Sequence, residues 1–198
     1  MIVGRSALAS GEFLLEDFPG TSGRLDVLAR SVRPALLTSH GLRRDAVAYL
    51  VLLGGPRAPR TLRIDGATAK YVRADERSFA GLLKSVLVSP EVVGEGFVEI
   101  KPGVSVARGG VEVALADMPE ASLFVLEEDG PDVRGADLSA PDVAFFAGGH
   151  HGFDDASLSL LAAAGARPIS VGPVSIHAED ALAIVANELD RRQASASR

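Results

Sequence analysis

The 198-residue chain has no cysteine and no tryptophan, and aromatic residues make up only 5% of it. Without cysteine there is neither a disulfide framework nor a thiolate metal site. No segment approaches the ~20 uninterrupted apolar residues that a membrane span needs, so the 47% hydrophobic content reads as a core of Ala, Val and Leu. The phosphate-cradling patterns G-x-G-x-x-G and G-x-x-x-x-G-K-[ST] are absent, as is the G-x-S-x-G of a nucleophile elbow. His150 and His151 are consecutive, so their side chains diverge, and no carboxylate stands at a ligand spacing from them. No metal is expected. His177 reads as ordering a loop carbonyl or the dimer surface, and His40 as a loop residue that satisfies backbone groups, with a place facing substrate as its alternative. The start MIVGRSALAS lacks the charged end and continuous apolar run of a secretion signal, which predicts a cytoplasmic location.

Length and composition suit one compact unit over residues 1–192, followed by a small, polar tail, 193–198, expected to be disordered. The net charge of −6 is unevenly spread. Residues 1–77 carry 12 Lys/Arg against 8 Asp/Glu, a balance of +4, whereas residues 78–198 carry 8 against 18, a balance of −10. Arginine supplies all but one of the early cations, and its planar fork suits phosphate and base edges. An ordinary solvated face is the plain alternative. The polarity between the two parts favours RNA as a partner, with no sign of DNA or membrane.

Hydrophobic periodicity gives strands at residues 1–5, 47–53, 61–64, 104–106, 122–126, 145–147 and 168–171. Helices are predicted at 24–37, where Pro34 could bend or end the run, and at 75–88, 111–117, 154–164 and 176–192. A turn is expected at 20–23, irregular Gly-rich chain over much of 90–110, and an acidic loop at 127–142. Strands alternating with helices make an α/β protein with a mainly parallel sheet. Two of the short strands stop at Gly148-Gly149 and at Gly172-Pro173 before helices begin. Neighbouring strand-to-helix loops of this kind form a ligand crevice. With no phosphate cradle, it suits a nucleoside with a neutral or positive tail.

The segments FPGTSGRLDVLARSV, SHGLRRDAVAYLVLLGGPRAP, DERSFA, GGHHGF and ISVGPVSIHAEDALAIVANELD occur in this order along nearly the whole chain. Together they resemble the archaeal tRNA pseudouridine-54 N1-methyltransferase family, a branch of the knotted SPOUT class that uses S-adenosylmethionine. The resemblance implies a mostly parallel six-stranded sheet, a C-terminal trefoil knot and a homodimer. It maps the cofactor pocket onto Leu126, Gly148, Val171, Gly172, Pro173, Val174, Ser175, Ile176 and Ala181. Gly149 stands where the archaeal pattern has an acidic residue and Gly172 where it has serine, which leaves backbone contacts at those two positions. The cysteine-free, Ala/Arg-rich composition suggests a bacterial member.

Methyl transfer from a sulfonium needs alignment and the exclusion of water rather than a covalent nucleophile. N1 of pseudouridine bears a proton that must leave, so a carboxylate or an ordered water is enough as general base. In Gly23-Arg24-Leu25-Asp26, Asp26 is the candidate to bond the base edge or accept the proton, and Arg24 to bind phosphate or a uracil carbonyl. A solvated helix-start pair is the alternative. Arg43 and Arg44, with Asp45 orienting one of them, are candidates for RNA-backbone contact, against a plain charged turn. The expected function is methylation of pseudouridine N1 in RNA, foremost tRNA. Methylation of rRNA or of an unmodified uridine, and RNA binding without catalysis, remain open on the sequence.

Overall fold

β-Branched and leucine-rich runs build one twisted sheet, and the helices between them cover both of its faces. A computed structural model describes residues 1–89 and 96–196. In chain order the elements begin β1 (Ile2–Leu8), α1 (Phe18–Thr21), α2 (Leu25–Leu36), β2 (Leu37–Thr38), β3 (Gly41–Leu42), β4 (Val47–Gly54), β5 (Arg60–Asp65) and α3 (Glu76–Leu87). They continue with β6 (Val98–Lys101), β7 (Val104–Arg108), α4 (Val111–Ala116), β8 (Ser122–Leu126), a 3-10 turn (Val133–Gly135), β9 (Val143–Gly148), α5 (Asp155–Ala163), β10 (Arg167–Ile169) and α6 (Ala178–Ala196).

The main sheet runs β10-β8-β9-β1-β4-β5-β7-β6. The five strands from β10 to β4 are parallel, and β5, β7 and β6 extend the sheet as antiparallel neighbours. Among the described residues this sheet has eight strands, where the resemblance implies six. One of the added strands is β6, which forms a hairpin with β7 inside a stretch read from its glycines as mostly irregular; residues 90–95 of that stretch lie outside the described residues. Gly103, with φ +70°, makes the tight reversal between β6 and β7. The four residues of β6 alternate too briefly to stand out among the neighbouring glycines.

Period-2 alternation sorts the core into two layers. Ile2, Leu50, Leu52, Leu62 and Ile64 face a cluster shared with Leu28 of α2, Leu83 of α3 and Val185 of α6. Val3, Val51, Leu123, Val125 and Phe146 face the opposite side and pack with Val111 of α4 and Leu161 of α5. Strands buried on both faces read as continuous apolar runs, as 47–53 does. α2 lies between the sheet and α6, which is why Leu25, Leu28, Val32 and Leu36 are all within 2% of full burial. Pro34 sits in the last turn and the helix continues past it to Leu36. Asp75 and Asp154 cap α3 and α5 by accepting from the Ser78 and Ser157 amides, the arrangement that satisfies orphan helix-start donors. α6 runs to Ala196, so residues 193–196 are helical where the tail was expected to start; residues 197 and 198 lie outside the described residues. No helix among the described residues is long and apolar enough to cross a membrane.

Candidate functional site

The C-terminal ends of β8, β9 and β10 open onto a crevice of about 800 Å³. Its floor is backbone. β9 ends at Gly148, and the following turn closes through Gly149, whose amide donates to Val3 O at 2.8 Å and whose carbonyl accepts from Gly152 at 3.0 Å. The chain packs so closely there that a Cβ at Gly148 would come within 2.6 Å of Gly152 Cα. After β10, the buried Ser170 hydroxyl donates to Gly172 O at 2.8 Å and accepts from Gly172 N at 3.2 Å, fixing the second loop. A Cβ at Gly172 would meet no protein atom within 4 Å. Val174 and Ile176 stand 68% and 41% exposed. These apolar side chains, the open space at Gly172 and the converging backbone groups fit a flat heterocycle such as the adenine of S-adenosylmethionine.

Leu126, Gly148, Val171, Gly172, Val174, Ser175, Ile176 and Ala181 all line this one crevice; Pro173 lies within the same loop without lining it. Arg24, Arg30, Glu127, Glu128 and Glu179 line it as well. Glu127 and Glu128 were read only as the start of an acidic loop. The signal that could have found them is their place directly after a strand of an open α/β sheet, where acidic residues commonly meet ribose hydroxyls.

The opposite wall is the start of α2. Gly23 and Arg24 both have positive φ, +65° and +67°, and for arginine that is an uncommon, strained conformation. It aims the Arg24 guanidinium back over its own helix, where it forks onto Asp26 with Nε–Oδ1 at 3.0 Å and Nη2–Oδ2 at 3.3 Å. Arg30, one turn on, donates to Asp26 Oδ2 at 2.7 Å and to Glu179 of α6 at 3.0 Å. The Asp26 side chain is only 2% exposed, while both arginines are 41% exposed. Burial alone would raise the Asp26 pKa, but the hydrogen bonds from Arg24 and Arg30, reinforced by their charges, hold it below the usual carboxylate range. Arg24 therefore lines the crevice, whereas Asp26 lies beneath it with both oxygens engaged.

Arg43, Arg44 and Asp45 are not brought to the crevice. Arg43 forms a two-pronged ion pair with Asp190 of α6 at 2.6 and 2.7 Å. Arg44 donates to the Gly66 and Ala67 carbonyls. Asp45 is exposed and acts on Arg43 through charge. Among the described residues no group of three His, Asp or Glu side chains could hold a metal ion.

The family model described as "Putative SAM-dependent RNA methyltransferase" matches residues 1–194. A tRNA (pseudouridine(54)-N(1))-methyltransferase of Methanosarcina acetivorans is 40% identical over 194 residues, covering 98% of this chain and 91% of the relative. The enzyme of the same name from Halobacterium salinarum is 39% identical over 191 residues, covering 96% and 94%. Among solved structures, Archaeoglobus fulgidus Nep1 bound to S-adenosylhomocysteine superposes with a TM-score of 0.65 at 18% identity, covering 87% of this chain and 72% of that one, which is a likeness of fold. With residues 1–194 matched and its loop crevice built as described, the chain belongs to the S-adenosylmethionine-dependent RNA methyltransferase family.

Proposed function

We propose that the protein transfers a methyl group from S-adenosylmethionine to N1 of a pseudouridine in tRNA, working as a cytoplasmic homodimer whose residues 1–192 form one catalytic domain. The observation that carries this reading is the crevice itself: two Gly/Pro loops that suit a nucleoside face a wall where Arg24 and Arg30 are fixed by a buried carboxylate. The tRNA target is supported by the full-length relatives, which are named for that reaction at pseudouridine 54.

When bound, S-adenosylmethionine supplies a methyl carbon already activated by its sulfonium. The loop backbone at Gly148 and from Ser170 to Ile176 would hold the adenosine part, with Val171, Val174 and Ile176 against the base and Glu127 or Glu128 accepting from ribose hydroxyls. Arg24 meets the uracil carbonyl or its phosphate, and Arg30 braces it through Asp26. Asp26 acts as a positioning residue. With its pKa held down and both oxygens engaged, Asp26 would not take the N1 proton, which an ordered water in the crevice would receive. Correct positioning of this kind can supply about 7–11 kcal/mol of barrier lowering.

A C-terminal knot belongs to the same reading. The first half of the loop 127–142 touches the exit of strand β10: Glu127 N donates to Ile169 O, Ser170 N donates to Pro131 O, and Val133 N donates to Ser170 O. Arg192 of α6 then donates to the carbonyls of Val133, Arg134 and Ala136. These contacts of the loop with β10 and α6 suit a chain threaded through it.

The test is methyl transfer to tRNA transcripts with and without pseudouridine at the target position, read by mass spectrometry of the nucleosides, beside calorimetric titration with S-adenosylmethionine. N1-methylpseudouridine formed only on the pseudouridylated transcript is expected. Equal transfer to the uridine transcript, or no cofactor binding, would overturn the reading.

A further inference from the structure

N1 of the target base carries a proton that the carboxylates around Arg24 are not placed to take. Asp26 lies beneath the crevice with both oxygens engaged, and Glu179 accepts from Arg30 at 3.0 Å. Glu127 and Glu128 follow the end of β8, which β9 separates from β1 in the sheet. Two imidazoles, His150 and His177, also line the crevice. His177 directly precedes α6, where its carbonyl accepts from the Asp180 and Ala181 amides, at the end of the loop that suits the adenosine.

His150 stands elsewhere, in the tight turn that follows β9. Gly152 N closes that turn by donating to Gly149 O at 3.0 Å, and Gly149 N holds it to β1 by donating to Val3 O at 2.8 Å. Arg5, further along β1, donates to the His151 carbonyl at 3.3 Å. Consecutive side chains were expected to diverge, but the turn brings the two imidazoles together, with ring centroids 4.6 Å apart. His151 thus packs against the His150 ring. Among the described residues no hydrogen bond occupies the His150 ring nitrogens, and the residue is exposed to the crevice. A neutral imidazole offers one nitrogen lone pair for a proton.

One strand carries both this turn and the wall that faces it. The turn of His150 is anchored on β1 at Val3, while Gly23, next to Arg24, accepts from the Ser6 hydroxyl of the same strand at 2.8 Å. From Val3 to Ser6 the strand rises roughly 10 Å. A single-ring base with a hydrogen bond at each edge fills a gap of that order.

We propose that His150 takes the N1 proton of the target pseudouridine through the ordered water, across the base from Arg24. The inference rests on the methyl-transfer reading above. The step balances without a further reactant: the N1–C bond forms, the C–S bond breaks with its electron pair left on sulfur, and the N1 proton passes through the water to the unprotonated ring nitrogen of His150. One bridging water keeps a general base within reach of its proton.

The experiment compares the wild type with His150→Ala, His150→Gln and His177→Ala in single-turnover methyl transfer to a pseudouridylated tRNA transcript at saturating S-adenosylmethionine, and circular dichroism checks each fold. Both His150 variants are expected to slow transfer about a hundredfold. Calorimetry should find their S-adenosylmethionine affinity within about twofold of the wild type, as expected for a group that acts in the transition state. Free imidazole should restore the rate of His150→Ala. Spectra of protein carrying labelled histidine give a readout without turnover: of the four histidine rings, the one whose signal is missing in His150→Gln should shift when the transcript joins protein loaded with S-adenosylhomocysteine. The proposal is overturned by a His150→Ala rate within about threefold of the wild type, by slow transfer that imidazole does not restore, by a ring signal that stays still, or by a loss confined to His177→Ala. Weakened cofactor affinity with normal transfer at saturation makes His150 a cofactor ligand and overturns it as well. A wild type that transfers no methyl group overturns both readings, whereas an active wild type beside an active His150→Ala overturns this one alone.

Discussion

Two residues of one sequence tripeptide, Gly23 and Arg24, decide what the crevice can hold. A Cβ on Gly23 would sit 1.9 Å from the Ser6 carbonyl oxygen, and that carbonyl's own side chain donates to Gly23 O at 2.8 Å. Gly23→Ala is therefore expected to cost roughly 2 kcal/mol or more, from strain and clash together, seen as a fall of several degrees in melting temperature. Asp26→Asn tests the carboxylate beneath the arginines. Its loss is expected to cost about 1–2 kcal/mol, less than for a fully buried pair because both arginines are partly solvated, and to lower kcat at least tenfold with little change in cofactor affinity. The pH dependence has a definite sign. Since the folded pKa of Asp26 is depressed, its stabilisation is full above the unfolded value of about 4 and fades as pH falls through the folded value. Melting temperatures of wild type and Asp26→Asn should converge below about pH 4. A gap that stays constant down to pH 3 would count against the pairing.

At the scale of elements, α6 packs Leu182 and Val185 into the core and is tied further by three arginine clasps: Arg30 to Glu179, Arg43 to Asp190, and Arg192 to the loop 127–142. Arg192→Ala should release the three loop carbonyls, cost on the order of 2 kcal/mol, and weaken S-adenosylmethionine binding through Leu126 and Glu127, whose positions the loop fixes. Calorimetry on the folded variant measures this. Such clasps explain what the sequence left hidden. Apolar periodicity made α2, α3, β4, β8 and the two glycine-ended loops legible, because burial of a face leaves its mark at local spacing. The partner of an arginine leaves none. Arg43 and Arg44 look like an exposed basic pair until α6, 147 residues further on from Arg43, brings Asp190 against it. Arg63 likewise joins Asp65 and Asp117, so several of the early cations that favoured RNA serve internal ties instead. The β6–β7 hairpin was missed for a different reason: its strand β6 alternates Val98, Glu99, Ile100 and Lys101 too briefly to stand out among glycines.

For the whole molecule, exposed Ile184 on α6 and Leu158 and Leu160 on α5 bear on the proposed dimer. If α6 meets a second copy, Ile184→Glu should shift sedimentation equilibrium towards monomer while circular dichroism stays unchanged; a wild type already monomeric at micromolar concentration would dismiss the dimer. The order of the sheet also makes the division of labour visible. Its parallel half carries the loops that line the crevice, and its antiparallel flank packs against α3.

The uncovered side chains of Val174 and Ile176 have a thermal consequence. Water ordered on those two surfaces is released only when a ligand lies across them, so the heat of association should change with temperature. Titrations between 10 and 35 °C are expected to grow steadily more exothermic, a negative heat capacity of binding, and replacing both residues by serine should flatten that slope.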